Sequence, residues 1–241
     1  GALWLAYFGG AMAVYGVFFA LLQYNPRALL SYHIQAQVGY MLAAIGLIGT
    51  VGGFAAAAGL AHAFNNILYK SLLFMAVGVV VYRTGKNDIR EMGGLWKIMP
   101  VTFVAYLIGA VSITAVPGFS GFISKGMVID SAHEVQNIPL LWGEDLLWWL
   151  LIVGGVGTFM SFIKLGYYIF FHGEATLDPK DATPLQTVAM FGAGAVCLYY
   201  GVFYGGMFEL LPFTDEWSTS PYSTGHLIEA AGLATAGFVG F

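Results

Sequence analysis

The sequence predicts an all-α, polytopic helical membrane protein, on three observations. Hydrophobic residues make up 59% of the chain and charged residues only 9%, with a mean hydropathy of +0.76. A soluble domain carries about 25% charged residues, so this chain lacks the polar surface to cover a globule in water. Apolar runs of about 20 residues, the length of helix that crosses a bilayer, recur from one end to the other. Short polar segments with Pro, Gly and most of the charge separate them. The net charge of −4, with no Lys/Arg run, points away from nucleic acid as a partner. Cys197 is the single cysteine, and neither a CxxC pair nor a Gly-rich phosphate loop occurs. The sequence therefore predicts no intrachain disulfide, no metal cluster and no bound cofactor.

Residues 2–22 form the first expected span. Asn25-Pro26 makes a turn, and Arg27 opens a second span over 28–48 that carries Ser31, His33, Gln35, Gln37 and Tyr40. His33, Gln37 and Tyr40 recur at i, i+4 and i+7 and so share one helix face. A Gly-rich turn at 49–53 leads to the third span, 54–82, and the Gly and Ala of 43–59 serve close helix packing. The segment 83–97 is the most charged loop, with Arg83, Lys86, Arg90 and Lys97 against Asp88 and Glu91. Residues 101–131 read as a fourth span broken near Pro117-Gly118, because proline removes a backbone donor and glycine loosens the helix.

An acidic stretch follows, with Asp130, Glu134, Glu144 and Asp145. The fifth span covers 146–171; Trp142, Trp148 and Trp149 form an interfacial belt and Lys164 is placed to snorkel. After Asp178-Pro179 a sixth span runs over 185–211, and Asp215, Glu216 and Pro221 precede a partial seventh at 226–241. Together these make one transmembrane domain, and its abrupt apolar ends read as those of a fragment of a longer chain.

The third span carries one formal charge, Lys70, near its middle. A lysine at mid-bilayer costs about 2.5–3.5 kcal/mol on insertion scales and is tolerated where it faces protein or water. His62, Asn66 and Lys70 recur at i, i+4 and i+8, which stacks them on one face. Lys125, just past the break, is a second intramembrane lysine. Low dielectric favours a neutral amine, which lets a lysine exchange protons. Histidine titrates near neutrality and handles a proton at either ring nitrogen. Gln37, Tyr40, Asn65 and Asn66 can hold water between such groups. On the residues alone a second reading stays open: Lys70 as a structural cation with a partner carboxylate, and His33 and His62 as packing histidines.

If 101–131 crosses once, the turn at Arg27, the 83–97 loop and the loop with Lys180 fall on one side. The stretch with Asp130 and Asp145 and the pair Asp215–Glu216 fall on the other. The bias of lysine and arginine makes the first side cytoplasmic.

Three segments resemble motifs of a known family. LLSYHIQAQVGYM, AHAFNNILYKSLLFMAVG and SITAVPGFSGFISK are similar, in order and spacing, to segments of the proton-conducting subunits of Mrp-type cation/proton antiporters and respiratory complex I. VVYRTG, SGFISK and the PYSTGH tail resemble the D subunits of Mrp complexes most. Such proteins hold two inverted five-helix repeats, each with a broken helix and a central lysine, and the resemblance places this chain at the second repeat. It implies that Lys70 is the central lysine that takes up and releases a proton. Lys125 would be the terminal lysine, near the exit on the non-cytoplasmic side, and His62 the first histidine of its motif. Two positions depart from the pattern. Asn66 replaces a second histidine and cannot titrate, and His33 stands where serine is usual.

The resemblance implies a proton-translocating subunit of a multisubunit Na+/H+ antiporter, a transporter and not an enzyme. It would sit in a bacterial or archaeal plasma membrane beside other membrane subunits, handling protons and Na+ without a cofactor. Two alternatives remain. One is the homologous proton-pumping subunit of a redox-driven complex, NADH:quinone oxidoreductase or a membrane-bound hydrogenase. The other is a structural membrane module whose polar residues only hold helices together. The membrane assignment predicts that the expressed chain stays in the pellet after alkaline carbonate extraction; release as soluble protein would refute it.

Overall fold

The computed structural model describes residues 2–133, 135, 146–174, 177–213 and 220–241. Trp142, Glu134, Glu144, Asp145, Asp215 and Glu216 lie outside the described residues. The helices are α1 (Leu3–Leu22), α2 (Pro26–Val51), α3 (Gly53–Thr84), α4 (Pro100–Ile113), α5 (Ser120–His133), α6 (Leu146–Gly166), α7 (Pro184–Val202), the single turn α8 (Gly205–Phe208) and α9 (Thr224–Gly240). Asn25 starts α2, its Oδ1 accepting from Arg27 N at 3.0 Å and Ala28 N at 3.2 Å, with Pro26 in the first turn. Thr183 and Gln186 form a capping box on α7, again followed by a proline. Gly85, with φ +69°, ends α3. At 32 residues, or about 48 Å, α3 outreaches the ~30 Å hydrocarbon layer.

Some boundaries differ from the sequence expectation. The turn expected over 49–53 shrinks to Gly52, because near a membrane face the backbone of 49–51 is best satisfied by staying helical. The helix expected over 185–211 ends at Val202, where the Tyr222 hydroxyl takes the carbonyl of Gly201. Helix α6 continues through a wider last turn, Tyr167–Phe171, closed by His172 N to Tyr167 O at 2.8 Å.

Alternate passes of the chain sort the linkers onto two ends. At the basic end Ile89 N donates to Tyr24 O at 2.9 Å. There, too, Asp181 caps α4, accepting from Val101 N at 2.8 Å and from Thr102 Oγ1 at 2.6 Å. Arg90 pairs with Asp88 at 2.6 Å, and that hydrogen bond holds the exposed carboxyl below its usual range. Lys164 does not snorkel into water. Its Nζ donates to Leu21 O at 2.6 Å and Gln23 O at 2.8 Å, so it supplies donors to the unpaired carbonyls that end α1. The other end holds the last turn of α5 and the first turns of α6 and α9, with Asp130, Trp148, His226 and Glu229.

Between α1 and α2 runs a seam of small residues, Ala6, Gly9, Ala13 and Gly16 facing Ala36, Gly39, Ala43 and Gly46. Helices in lipid gain little from hydrophobic burial against each other, so close backbone approach carries the contact. A Cβ on Gly39 would lie 2.5 Å from Gly9 O and 2.6 Å from Ala13 N, whereas Gly49 faces open space. Gly39→Leu should therefore destabilise by at least the ~1–3 kcal/mol of overpacking, read as a lower thermal midpoint in detergent, and Gly49→Leu should leave the midpoint unchanged.

The fourth span is broken, and the break starts before Pro117. Helix α4 stops at Ile113 and Ala115 turns left-handed at φ +62°. Val116 N then bonds Val111 O at 3.0 Å and Ala115 N bonds Ser112 O at 3.2 Å, the Schellman pattern. Pro117 follows, where it cannot continue the helix, and Gly118 at φ +93° turns the chain into α5. Gly121 lets α5 pass close to α4, since a Cβ there would overlap the Ser112 carbonyl oxygen. A β-branched side chain is strained at positive φ, so Ala115→Val should destabilise by roughly 1–3 kcal/mol. Ala115→Gly, which relieves the strain but removes one buried methyl, should stay near the native midpoint in the same detergent melt.

Candidate functional site

Two apolar clusters divide the bundle along its length. One contains Leu29, Leu30, Leu72, Leu73, Tyr106, Phe162 and Leu165 toward the basic end. The other contains Ala43, Leu47, Ala57, Ala58, Phe122, Met127 and Leu151 toward the opposite end. The buried polar residues fall between them at mid-depth: His33 and Gln37 on α2, His62, Asn65, Asn66 and Lys70 on α3, and Ser120, Ser124 and Lys125 on α5. Helical spacing of 3–4 residues puts each set on the inward face of its helix.

His62 is the hub of this layer. Its Nε2 lies 3.1 Å from Gln37 Oε1 and its Nδ1 lies 3.2 Å from Ser124 Oγ. Tyr69 OH also donates to Gln37 Oε1, at 3.4 Å. An amide oxygen only accepts, so this arrangement puts the proton of the neutral ring on Nε2 and leaves Nδ1 to accept from the Ser124 hydroxyl. The Ser124 hydroxyl has a second acceptor within reach, Ser120 O at 3.5 Å. Asn65 ties α3 to the break, donating to Ser120 O at 3.0 Å.

Both central lysines are buried, Lys70 at 5% and Lys125 at 2% exposure, and each donates to a backbone carbonyl. Lys70 Nζ reaches Leu30 O at 3.1 Å. Lys125 Nζ reaches Ile113 O at 2.7 Å, the carbonyl at the end of α4 that the Schellman bonds leave over. Among the described residues no carboxylate pairs with either lysine. The Tyr40 ring lies 5.1 Å from Lys125 Nζ and 5.5 Å from the His62 ring, and its hydroxyl donates to Leu151 O at 2.5 Å. His33 stacks on Phe162 at 4.9 Å, and the same ring lies 5.8 Å from Lys70 Nζ. Both His33 nitrogens, Gln37 Nε2 and Asn66 Oδ1 are buried without a hydrogen-bond partner among the described residues.

Lys70, Lys125, His62, His33, Asn66, Gln37 and Tyr40 thus share one layer, beside the break at Pro117 and Gly118. Asn66 makes no hydrogen bond to His62 or Lys70, so the stack read along α3 is not a direct line. The bonded line crosses instead from His62 to Gln37 on α2 and to Ser124 on α5. Ser124, Ser120 and Tyr69 were not singled out from the sequence; Ser124 stands next to Lys125 in the FISK run, the one signal available. His226, also unassigned, lies with its Nε2 2.6 Å from Asp130 Oδ1 at the acidic end. Among the described residues no three His, Cys, Asp or Glu side chains converge as metal ligands.

A family model described as NADH:quinone oxidoreductase/Mrp antiporter, TM, matches residues 2–170. NADH-ubiquinone oxidoreductase chain 5 of Acanthamoeba castellanii is 30% identical over 221 residues, covering 89% of this chain and 31% of its own length. One of the Na(+)/H(+) antiporter subunits of Bacillus subtilis (strain 168) is 34% identical over 171 residues, 65% of this chain and 21% of the relative. The Mrp complex from Dietzia sp. DQ12-45-1b contains a chain that superposes with a TM-score of 0.74 over 99% of this chain and 48% of that one; at 22% identity this shows the fold. The chain spans 21–38% of the length of such curated relatives. The family match over most of the chain, with the broken helix and the polar layer inside it, places this protein in the transmembrane family of NADH:quinone oxidoreductase and Mrp antiporter subunits.

Proposed function

We propose that this chain is the proton-translocating part of a membrane subunit in a multisubunit Na+/H+ antiporter of a bacterial or archaeal plasma membrane, working beside other membrane subunits. The observation that carries the reading is a hydrogen-bonded line, Gln37–His62–Ser124, flanked by two buried lysines that have no carboxylate partner among the described residues. Intramembrane lysines of this kind are functional by default. The role is transport and not catalysis, since the groups brought together are ones that exchange protons.

The line works through the two nitrogens of His62. A proton arriving at Nδ1 converts the ring to a double donor, and the Ser124 hydroxyl then turns toward Ser120 O. Loss of the other proton from Nε2 toward Gln37 completes a passage through the ring. His33 and the unpartnered amide atoms of Gln37 and Asn66 need hydrogen-bond partners, and water is the partner that also conducts protons from there to Lys70. Lys125 continues the path on the α5 side. Each proton that crosses responds to about 2.3 kcal/mol per 100 mV of membrane potential.

A second reading is supported by the identity to a NADH-ubiquinone oxidoreductase chain over 89% of this one. In that case the same residues move protons while the driving reaction takes place on other chains. Everted vesicles carrying the native assembly separate the two, since proton movement driven by added Na+ marks the antiporter and movement driven by an electron donor marks the redox complex.

In those vesicles Lys70→Ala and Lys70→Arg should both abolish proton movement while native gels show an intact complex, because arginine keeps its proton throughout. Lys164→Ala should retain most of the transport, because that side chain only ends α1. An assembled Lys70→Arg complex that transports at the native rate would make Lys70 a structural cation and leave the structural-module reading.

A further inference from the structure

We propose that Glu229 on α9 is the next proton acceptor after Lys125, and that the His226–Asp130 pair positions it. This inference rests on the proton-path reading above and extends it to a helix that reading does not use. A cavity of about 20 Å³ lies where α5 meets α9, with Lys125, His226 and Glu229 in its wall among Ala115, Phe122 and Leu233. That volume holds about one water. No ion pair joins Lys125 to Glu229, so the cavity separates donor from acceptor.

Each group in this wall has a fixed orientation. Trp148 of α6 donates its indole N–H to Glu229 Oε1 at 3.2 Å, which holds the carboxylate at the cavity end of α9. His226, one turn earlier on α9, has Nδ1 3.2 Å from Pro221 O and Nε2 2.6 Å from Asp130 Oδ1. A carbonyl and a carboxylate are both acceptors, so His226 presents N–H to each and Asp130 balances its charge. The pair ties the first turn of α9 to α5 and keeps Glu229 at a set distance from Lys125. Among the described residues His133 on α5, stacked on Trp148 at 5.3 Å, is the remaining titratable group facing the carboxylate, with Tyr40 of α2 across the cavity beside Lys125.

The step conserves protons and charge. The N–H bond of the Lys125 ammonium breaks, one proton crosses through water, and an O–H bond forms on Glu229. The ammonium–carboxylate pair thereby becomes a neutral amine and a neutral acid. Glu229 then releases the proton at the end of the bundle that carries Asp130. Its counterpart, the basic end, lies at the other side of the membrane.

The test uses the native assembly in everted vesicles, with Lys70→Arg run in parallel and assembly checked on native gels. Glu229→Gln should lower transport by roughly 100-fold, the lower range for removing a positioned proton-transfer group. Glu229→Asp, which keeps the carboxylate, should restore most of the rate with an altered dependence on the pH of the acidic-end compartment. Asp130→Asn should change that pH profile in an assembled complex, which a merely structural tie would not do. A native rate and an unchanged profile in Glu229→Gln, beside an inactive Lys70→Arg, overturn the role of Glu229 alone. A native rate in Lys70→Arg instead removes the reading on which it rests. If Glu229→Gln does not assemble, Glu229→Asp decides, an unchanged pH profile there counting against the proposal.

Discussion

A charged or polar group inside a hydrocarbon layer has to find its partners within the protein, and the polar architecture of this chain follows from that constraint. The three lysines that enter the bundle meet it in the same way, each by donating to backbone carbonyls. Lys164 ends α1 by taking Leu21 O and Gln23 O. Lys125 takes Ile113 O, which is open only because α4 stops there. Lys70 takes Leu30 O from the side of α2. A carbonyl holds an amine in place whether it is an ammonium or neutral, whereas a carboxylate would lock it as a cation. That difference suits groups proposed to change protonation.

The broken span is thus more than an interruption. Its Schellman turn at Ala115 satisfies Val111 O and Ser112 O and leaves one carbonyl for Lys125. Ser120 O, in the first turn after the break, accepts from Asn65 and lies within reach of Ser124. Three neighbours meet at a point where an unbroken helix would have offered neither oxygen. Small residues make the approach possible, Gly121 against Ser112 O and Gly201 against the backbone of Gly118. Backbone geometry at 113–121 therefore fixes the depth at which the lysine and the histidine layer meet.

Much of this was legible before any coordinates. Apolar run lengths placed the helices, the i, i+4 spacing of His33 with Gln37 and of His62 with Lys70 put them on inward faces, and Pro117-Gly118 located the break to within a few residues. The break begins at Ala115 because a left-handed alanine carries no sequence mark. The short α7 was also missed, since its end depends on Tyr222, a residue far along the chain reaching Gly201. Lys164 looked like a snorkelling residue because its apolar neighbours could be read and the free carbonyls of α1 could not.

By itself the sequence determined the class, the inward polar faces and the presence of two lysines in the membrane interior. These follow from local periodicity and from transfer free energies that act residue by residue. Only the tertiary structure decided which polar groups touch. The line from His62 runs sideways to Gln37 and Ser124 and not down α3 through Asn66, and Asp130 meets His226 from 96 positions away. Such pairings depend on the rotation and depth of each helix against its neighbours. Those are set by backbone approach at Gly39 and Gly121 and by the carbonyls a break leaves open, and no single segment encodes them.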